Sequence, residues 1–109
     1  MEQKFDIESY FFLFRDFLQS ELELNGLPMV KELTYRFAMV QFRDTRDFEP
    51  GKIEFIPKVL AHMQSEMGEI FEKFAKECFD HGYNLDFINE TVRQWLIKII
   101  NEIVPAQQV

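Results

Sequence analysis

A single all-α domain spanning residues 1–109, folded as an antiparallel four-helix bundle, is what this sequence predicts, and three observations lead there. Four segments carry apolar residues at spacings of three and four, the period of a helix with one buried face. Caps and breakers fall between those segments. The intervening connections are short, which favours antiparallel neighbours.

The first helix is expected over about residues 7–24. Asp6 supplies an N-cap, Phe5 and Tyr10 are spaced as a hydrophobic staple, and Asn25-Gly26 ends the run. Pro28 suits the first turn of the second helix, about 29–44, with Met29, Leu33, Phe37 and Val40 as its apolar stripe. In "TRDFEPGKIEF", Pro50-Gly51 reads as a type II turn with positive φ at the glycine, and Ile53–Ile56 as a short extended alternative. Pro57 opens the third helix, about 57–80, whose stripe of Leu60, Met63, Met67, Phe74 and Cys78 lasts until His81-Gly82. Asn84 or Asp86 caps the fourth, about 86–104, which runs through Ile88, Val92, Trp95, Ile99 and Ile103 to Pro105 with a frayed "AQQV" tail.

Composition narrows the function classes. The chain carries a formal charge of −7 and a pI near 4.8, which disfavours phosphate backbones and anionic lipid surfaces as partners. Its acids, offset by twelve bases, are not dense enough for nucleic-acid mimicry. No apolar run reaches the roughly 18 residues a membrane span requires, and acidic residues interrupt any signal-like segment. One cysteine, Cys78, allows no intrachain disulfide and fits a reducing, cytoplasmic setting.

Chemical motifs are sparse. Neither His62 nor His81 has a Glu three residues before it, so the pattern of a carboxylate-bridged metal bundle is missing, and no metal or other cofactor is expected. Cys78 lies on an apolar stripe, where a thiol behaves as a small hydrophobe. Glu21 projects into an apolar stripe near a helix end, where solvent or a basic residue can meet it. No phosphate-cradling glycine loop or nucleophile elbow is found, so the chain is read as non-enzymatic.

What remains unexplained is apolar surface. Thirteen phenylalanines exceed what the stripes need, and exposed Phe points to a partner. Phe12 projects among Glu8, Asp16 and Glu23. The second helix has a further apolar face at Tyr35, Ala38, Met39 and Phe42, which Phe48 extends, with Arg36 and Arg43 beside it as polar rim. Ile97 stands among Arg93, Glu90 and Asn101. Phe12, Tyr35, Met39, Phe42, Phe48 and Ile97 are therefore the candidate binding residues, for another protein or for a second copy of the chain. A seam of small residues, Ala61, Gly68 and Ala75, suggests a close helix contact, most simply within the chain.

The alternative is a regulator associated with nucleic acid. "CFDHGYNLDFI" spaces Cys78, Gly82 and Ile88 like a helix-turn-helix, with Arg93 and Lys98 as its cations.

Overall fold

The computed structural model describes residues 5–54 and 57–107. It contains four helices, α1 (Ile7–Asn25), α2 (Leu27–Gln41), α3 (Pro57–Asp80) and α4 (Leu85–Gln107), every pair of which is in contact. No strand is found among the described residues, Ile53 and Glu54 included, whereas Phe55 and Ile56 lie outside them.

Local chemistry explains most helix ends. Asp6 is extended and its carboxylate accepts the Glu8 N–H at 3.1 Å, satisfying a donor that the first turn leaves without a helical partner. Gly26, at φ 86°, is the entire connection between α1 and α2. It donates back to the Leu22 carbonyl. At the end of α3, Gly82 takes φ 87° and the amides of Gly82 and Tyr83 donate to the carbonyls of Phe79 and Cys78, the Schellman arrangement. Asn84 caps α4, its side chain accepting the Phe87 N–H at 2.9 Å.

Two helix ends differ from expectation. α2 stops at Gln41 rather than Asp44, because Arg43 adopts φ 55° and Phe42 folds back so that its ring meets Phe37 at 5.8 Å. α4 continues past Pro105 to Gln107. In the last turn a proline forgoes a single backbone bond, here to the exposed Asn101. The remainder of the expected frayed tail, residues 108–109, lies outside the described residues.

Contacts between helices give the topology. Phe5 meets His81 and Tyr10 meets Phe74, so α1 and α3 are antiparallel. Phe11 lies against Trp95 while Arg15 reaches Glu102, so α1 and α4 run in the same direction. α1–α2 and α3–α4 are antiparallel hairpins, as expected. The segment 42–56 is not a simple turn: it returns along the bundle to the start of α2, so α2 and α3 run parallel.

This returning strap is fastened at several points. Phe48 is a core residue, 6 % exposed, and so does not extend a surface patch as expected. Lys31 pairs with Glu49 at 3.1 Å, and Arg93 of α4 pairs with Asp47 and, at 3.6 Å, with Asp44. The carboxyl of Asp44 is pulled down to about 2, chiefly by hydrogen bonds from Arg46. Gly51 does not have the positive φ expected of it. That backbone conformation falls to Lys52 (φ 53°), and Gly51 is needed because the strap touches the α2 backbone, where a Cβ would lie 1.8 Å from the Pro28 carbonyl oxygen.

Glu32 ties the strap to α2. Its carboxylate accepts from Arg36 Nε and from the Gly51 N–H, each at 2.9 Å. Burial, the largest influence, acts to raise its pKa. The Arg36 guanidinium and the Gly51 and Lys52 amides outweigh burial and hold the carboxyl below its ordinary 4.5. A carboxyl lowered by folding contributes stability that is complete above the ordinary carboxylate range and lost as pH falls through the folded value. Glu32→Gln is therefore expected to cost about 1–2 kcal/mol at pH 7, and the gap to wild type should narrow below about pH 4. Urea midpoints measured across that range check this; a gap independent of pH refutes it.

Inside, Phe14, Leu18, Leu33, Met63, Met67, Phe74, Ile88 and Leu96 are fully buried. The buried face of α2 is wider than its expected stripe. Val30, Thr34 and Ala38 join Met29, Leu33 and Phe37, because α2 touches all three other helices and the strap, and the Thr34 hydroxyl is satisfied by the Val30 carbonyl at 2.8 Å. Ala38, expected on a second outer face, is thus core, while Val40, expected in the stripe, is 75 % exposed. The small-residue seam on α3 is not a close contact within the chain: a Cβ on Gly68 would meet nothing within 4 Å, and Ala61 is exposed.

Candidate functional site

The six candidate residues separate into three groups. Phe12 is 52 % and Met39 46 % exposed, so both present apolar area to solvent. Tyr35, Phe42 and Ile97 are half-buried and pack on the core. Phe48 is inside, as described above. The two exposed residues do not form one patch: Phe12 stands partway along α1 with its ring against Phe11 at 5.5 Å, and Met39 lies in the last turn of α2.

A more concentrated surface occurs at one end of the bundle. The topology brings together the C-termini of α2 and α3 and the N-termini of α1 and α4. The side chains of Gln41 and Asn89 bond across this end at 3.4 Å. Nine large hydrophobic residues are exposed among the described residues, and six of them lie here: Met39, Val40, Phe79, Tyr83, Leu85 and Phe87.

Phe79 and Leu85 are each about half exposed, at 52 % and 49 %. Tyr83 and Phe87 stack at 4.4 Å with 18° between their planes, and Tyr83 also meets Phe5. Each is held by local backbone geometry. The Schellman turn at Gly82 sets Tyr83 beyond the end of α3, and the Asn84 cap fixes Leu85 and Phe87 in the first turn of α4. Patches of this kind mark sites where another molecule binds.

Sequence reasoning missed Phe79, Tyr83, Leu85 and Phe87, although a signal was present. A tight connection between helices is ordinarily polar, and four large apolar residues within 79–87 are not required to make that turn.

Two grooves border the strap. One, of about 240 Å³, lies between α2 and α4 and is lined by Lys31, Thr34, Phe48, Ile100, Val104 and Pro105 among others. The other, of about 510 Å³, adjoins the apolar end and is lined by Phe42, Asp44, Arg46, Asp86, Asn89, Glu90 and Arg93.

Burial raises the pKa of two ionisable side chains. Burial, with a smaller contribution from Glu77, pushes the Cys78 thiol up to about 11, so it is protonated at neutral pH and a poor nucleophile. Tyr10 is raised to about 12 by burial and by Glu77. His62 pairs with Glu66 at 3.0 Å on the exposed face of α3. His81 Nδ1 lies 2.9 Å from the Glu77 carbonyl, which can only accept, so that nitrogen carries the proton. Glu21 accepts from Asn25 at 2.7 Å. No group of three or more potential ligands converges among the described residues.

The two cations of the helix-turn-helix alternative are engaged inside the molecule. The Arg93 side chain is only 11 % exposed and faces Asp44 and Asp47. Lys98 Nζ lies 5.2 Å from the centre of the Phe11 ring, within cation–π range.

Comparison with protein-family models, with curated proteins and with solved structures finds no match to the chain. The fold and its exposed surface together define a four-helix bundle with an apolar end.

Proposed function

We propose that this chain is a non-enzymatic interaction module that binds another protein, or its own copy, through the apolar end of the bundle. The observation that supports this reading is the concentration of six of the nine exposed large hydrophobics at that end. Binding hot spots are enriched in rigid aromatic groups that lose little conformational freedom on contact. Phe79, Tyr83 and Phe87, set on a capped turn, have that character. Met39 adds an adaptable side chain, and Phe12 forms a subsidiary exposed position on α1. No described helix is long and apolar enough to cross a membrane. The buried free thiol of Cys78 suits a reducing compartment, and we place the module in the cytoplasm.

The test uses a surface variant that leaves the core intact. Phe79→Glu combined with Leu85→Glu is expected to lower the thermal midpoint by no more than about 8 °C, since exposed substitutions rarely cost more than about 0.5 kcal/mol each. It should abolish self-association seen by light scattering, or weaken complexes trapped by crosslinking at least about thirtyfold, as hot-spot losses of 2 kcal/mol or more imply. Identical association of wild type and variant refutes the reading.

A further inference from the structure

The apolar end is bordered mainly by one sign of charge. Asp80 and Asp86 fall within the apolar segment itself, Glu77 and Glu90 stand nearby on α3 and α4, and Asp6 caps α1 beside Phe5. All five are exposed. Among the described cations at this end, Arg46 binds Asp44 at 2.8 Å, and Arg93 is turned toward Asp44 and Asp47 and lies 4.0 Å from Glu90. Arg43 and Lys76 are the other described ones.

This distribution selects among occupants. A second copy docked across a two-fold axis presents the same patch to itself, and would bring two predominantly acidic rims together. Like charges brought together at an interface are unfavourable and suppress wrong pairings. Nucleic acid and anionic lipid meet the same repulsion, reinforced by the overall charge of −7. A polypeptide with an apolar face bordered by lysine or arginine instead covers the rings while its cations meet the rim.

Resting on the interaction reading above, we infer that the apolar end receives an amphipathic segment of a partner protein, its apolar face flanked by Lys or Arg. The aromatic rings supply buried area and the acidic rim supplies discrimination and faster encounter. Phe79, Leu85 and the stacked Tyr83–Phe87 pair form the floor of this site.

Three labelled synthetic helical peptides sharing one leucine face, but flanked by Lys, Gln or Glu, test the inference by fluorescence anisotropy on the full chain. At low salt the Lys peptide is expected to bind at least about tenfold more tightly than the Gln peptide, with the Glu peptide weakest. Rising ionic strength should erode that advantage. Asp80→Asn with Asp86→Asn should bring the Lys and Gln peptides together, and Phe79→Ala with Leu85→Ala should weaken both. Equal binding of the Lys and Gln peptides to wild type overturns the cationic partner while leaving the apolar end as an interface. Lys-peptide binding that survives loss of Phe79 and Leu85 shows diffuse charge attraction and overturns the docking site. A stable dimer that excludes the peptides, or no binding by any peptide, overturns it as well.

Discussion

Phe74→Ala is expected to destabilise the bundle by about 3–5 kcal/mol, the range for truncating a fully buried phenylalanine that leaves a cavity. Phe74 is wholly buried on α3, and its ring centre lies 5.2 Å from Tyr10 of α1, 5.0 Å from Trp95 of α4 and 6.3 Å from Phe5. Those neighbours belong to different elements, so the site cannot collapse without moving one helix relative to another. For a chain of this size each kcal/mol shifts the thermal midpoint by roughly 4–8 °C, so a fall of at least about 12 °C is expected. Phe79→Ala, five positions along the same helix, is the control and should change stability by no more than about 0.5 kcal/mol. A loss below about 1 kcal/mol at Phe74 contradicts the packing described.

The contrast between these two phenylalanines shows where sequence reading succeeds and where it stops. Phe74 is in register with Met63, Met67 and Phe71, and its burial follows from helical period alone. The starts of α1 and α3 and the connection at Gly82 are equally plain, because Asp6, Pro57 and the glycine act on their own immediate backbone. The end of α2 was not legible. Arg43 carries no signal for φ 55°, and only the return of the strap explains why the helix gives way there. The burial of Ala38 and the exposure of Val40 depend on how far α2 is enclosed by three helices and a strap, which its own periodicity does not encode.

The candidate surface was legible in part for a geometric reason. A helical projection gives the angle of a residue about the axis and nothing about its height along it. Phe12, lying on the polar side of α1, stands out in such a projection and is indeed exposed. Phe79 lies in the last turn of α3, Leu85 and Phe87 in the first turn of α4 and Tyr83 between the two helices, and at a helix end the angle alone no longer decides burial. Phe48 had no register at all. Its place in the core is set by long-range fastenings at Asp44, Asp47, Glu49 and Gly51, which join residues 18 to 49 positions apart.

Gly51→Ala tests whether those fastenings hold the strap against α2, and it is expected to cost about 2–3 kcal/mol. The added Cβ would fall 1.8 Å from the Pro28 oxygen, 2.7 Å from its carbonyl carbon and 3.0 Å from the Glu32 nitrogen. All three atoms are backbone in the first turns of α2, so no side-chain rotation can relieve the contact, and the strap must lift. Lifting lengthens the 2.9 Å bond from the Gly51 N–H to Glu32 and pulls on Phe48. The gain from restricting the unfolded chain, about 0.4–1 kcal/mol, is too small to offset this. Gly68→Ala should act in the opposite direction: it has open space around it in mid-helix and should stabilise by up to about 1 kcal/mol. Urea midpoints of the two variants should therefore move apart from wild type in opposite senses. Amide exchange should accelerate across residues 44–54 in Gly51→Ala, while the interior amides of α1 and α3 keep more of their protection. A Gly51→Ala protein as stable as wild type would show that the strap does not bear on α2.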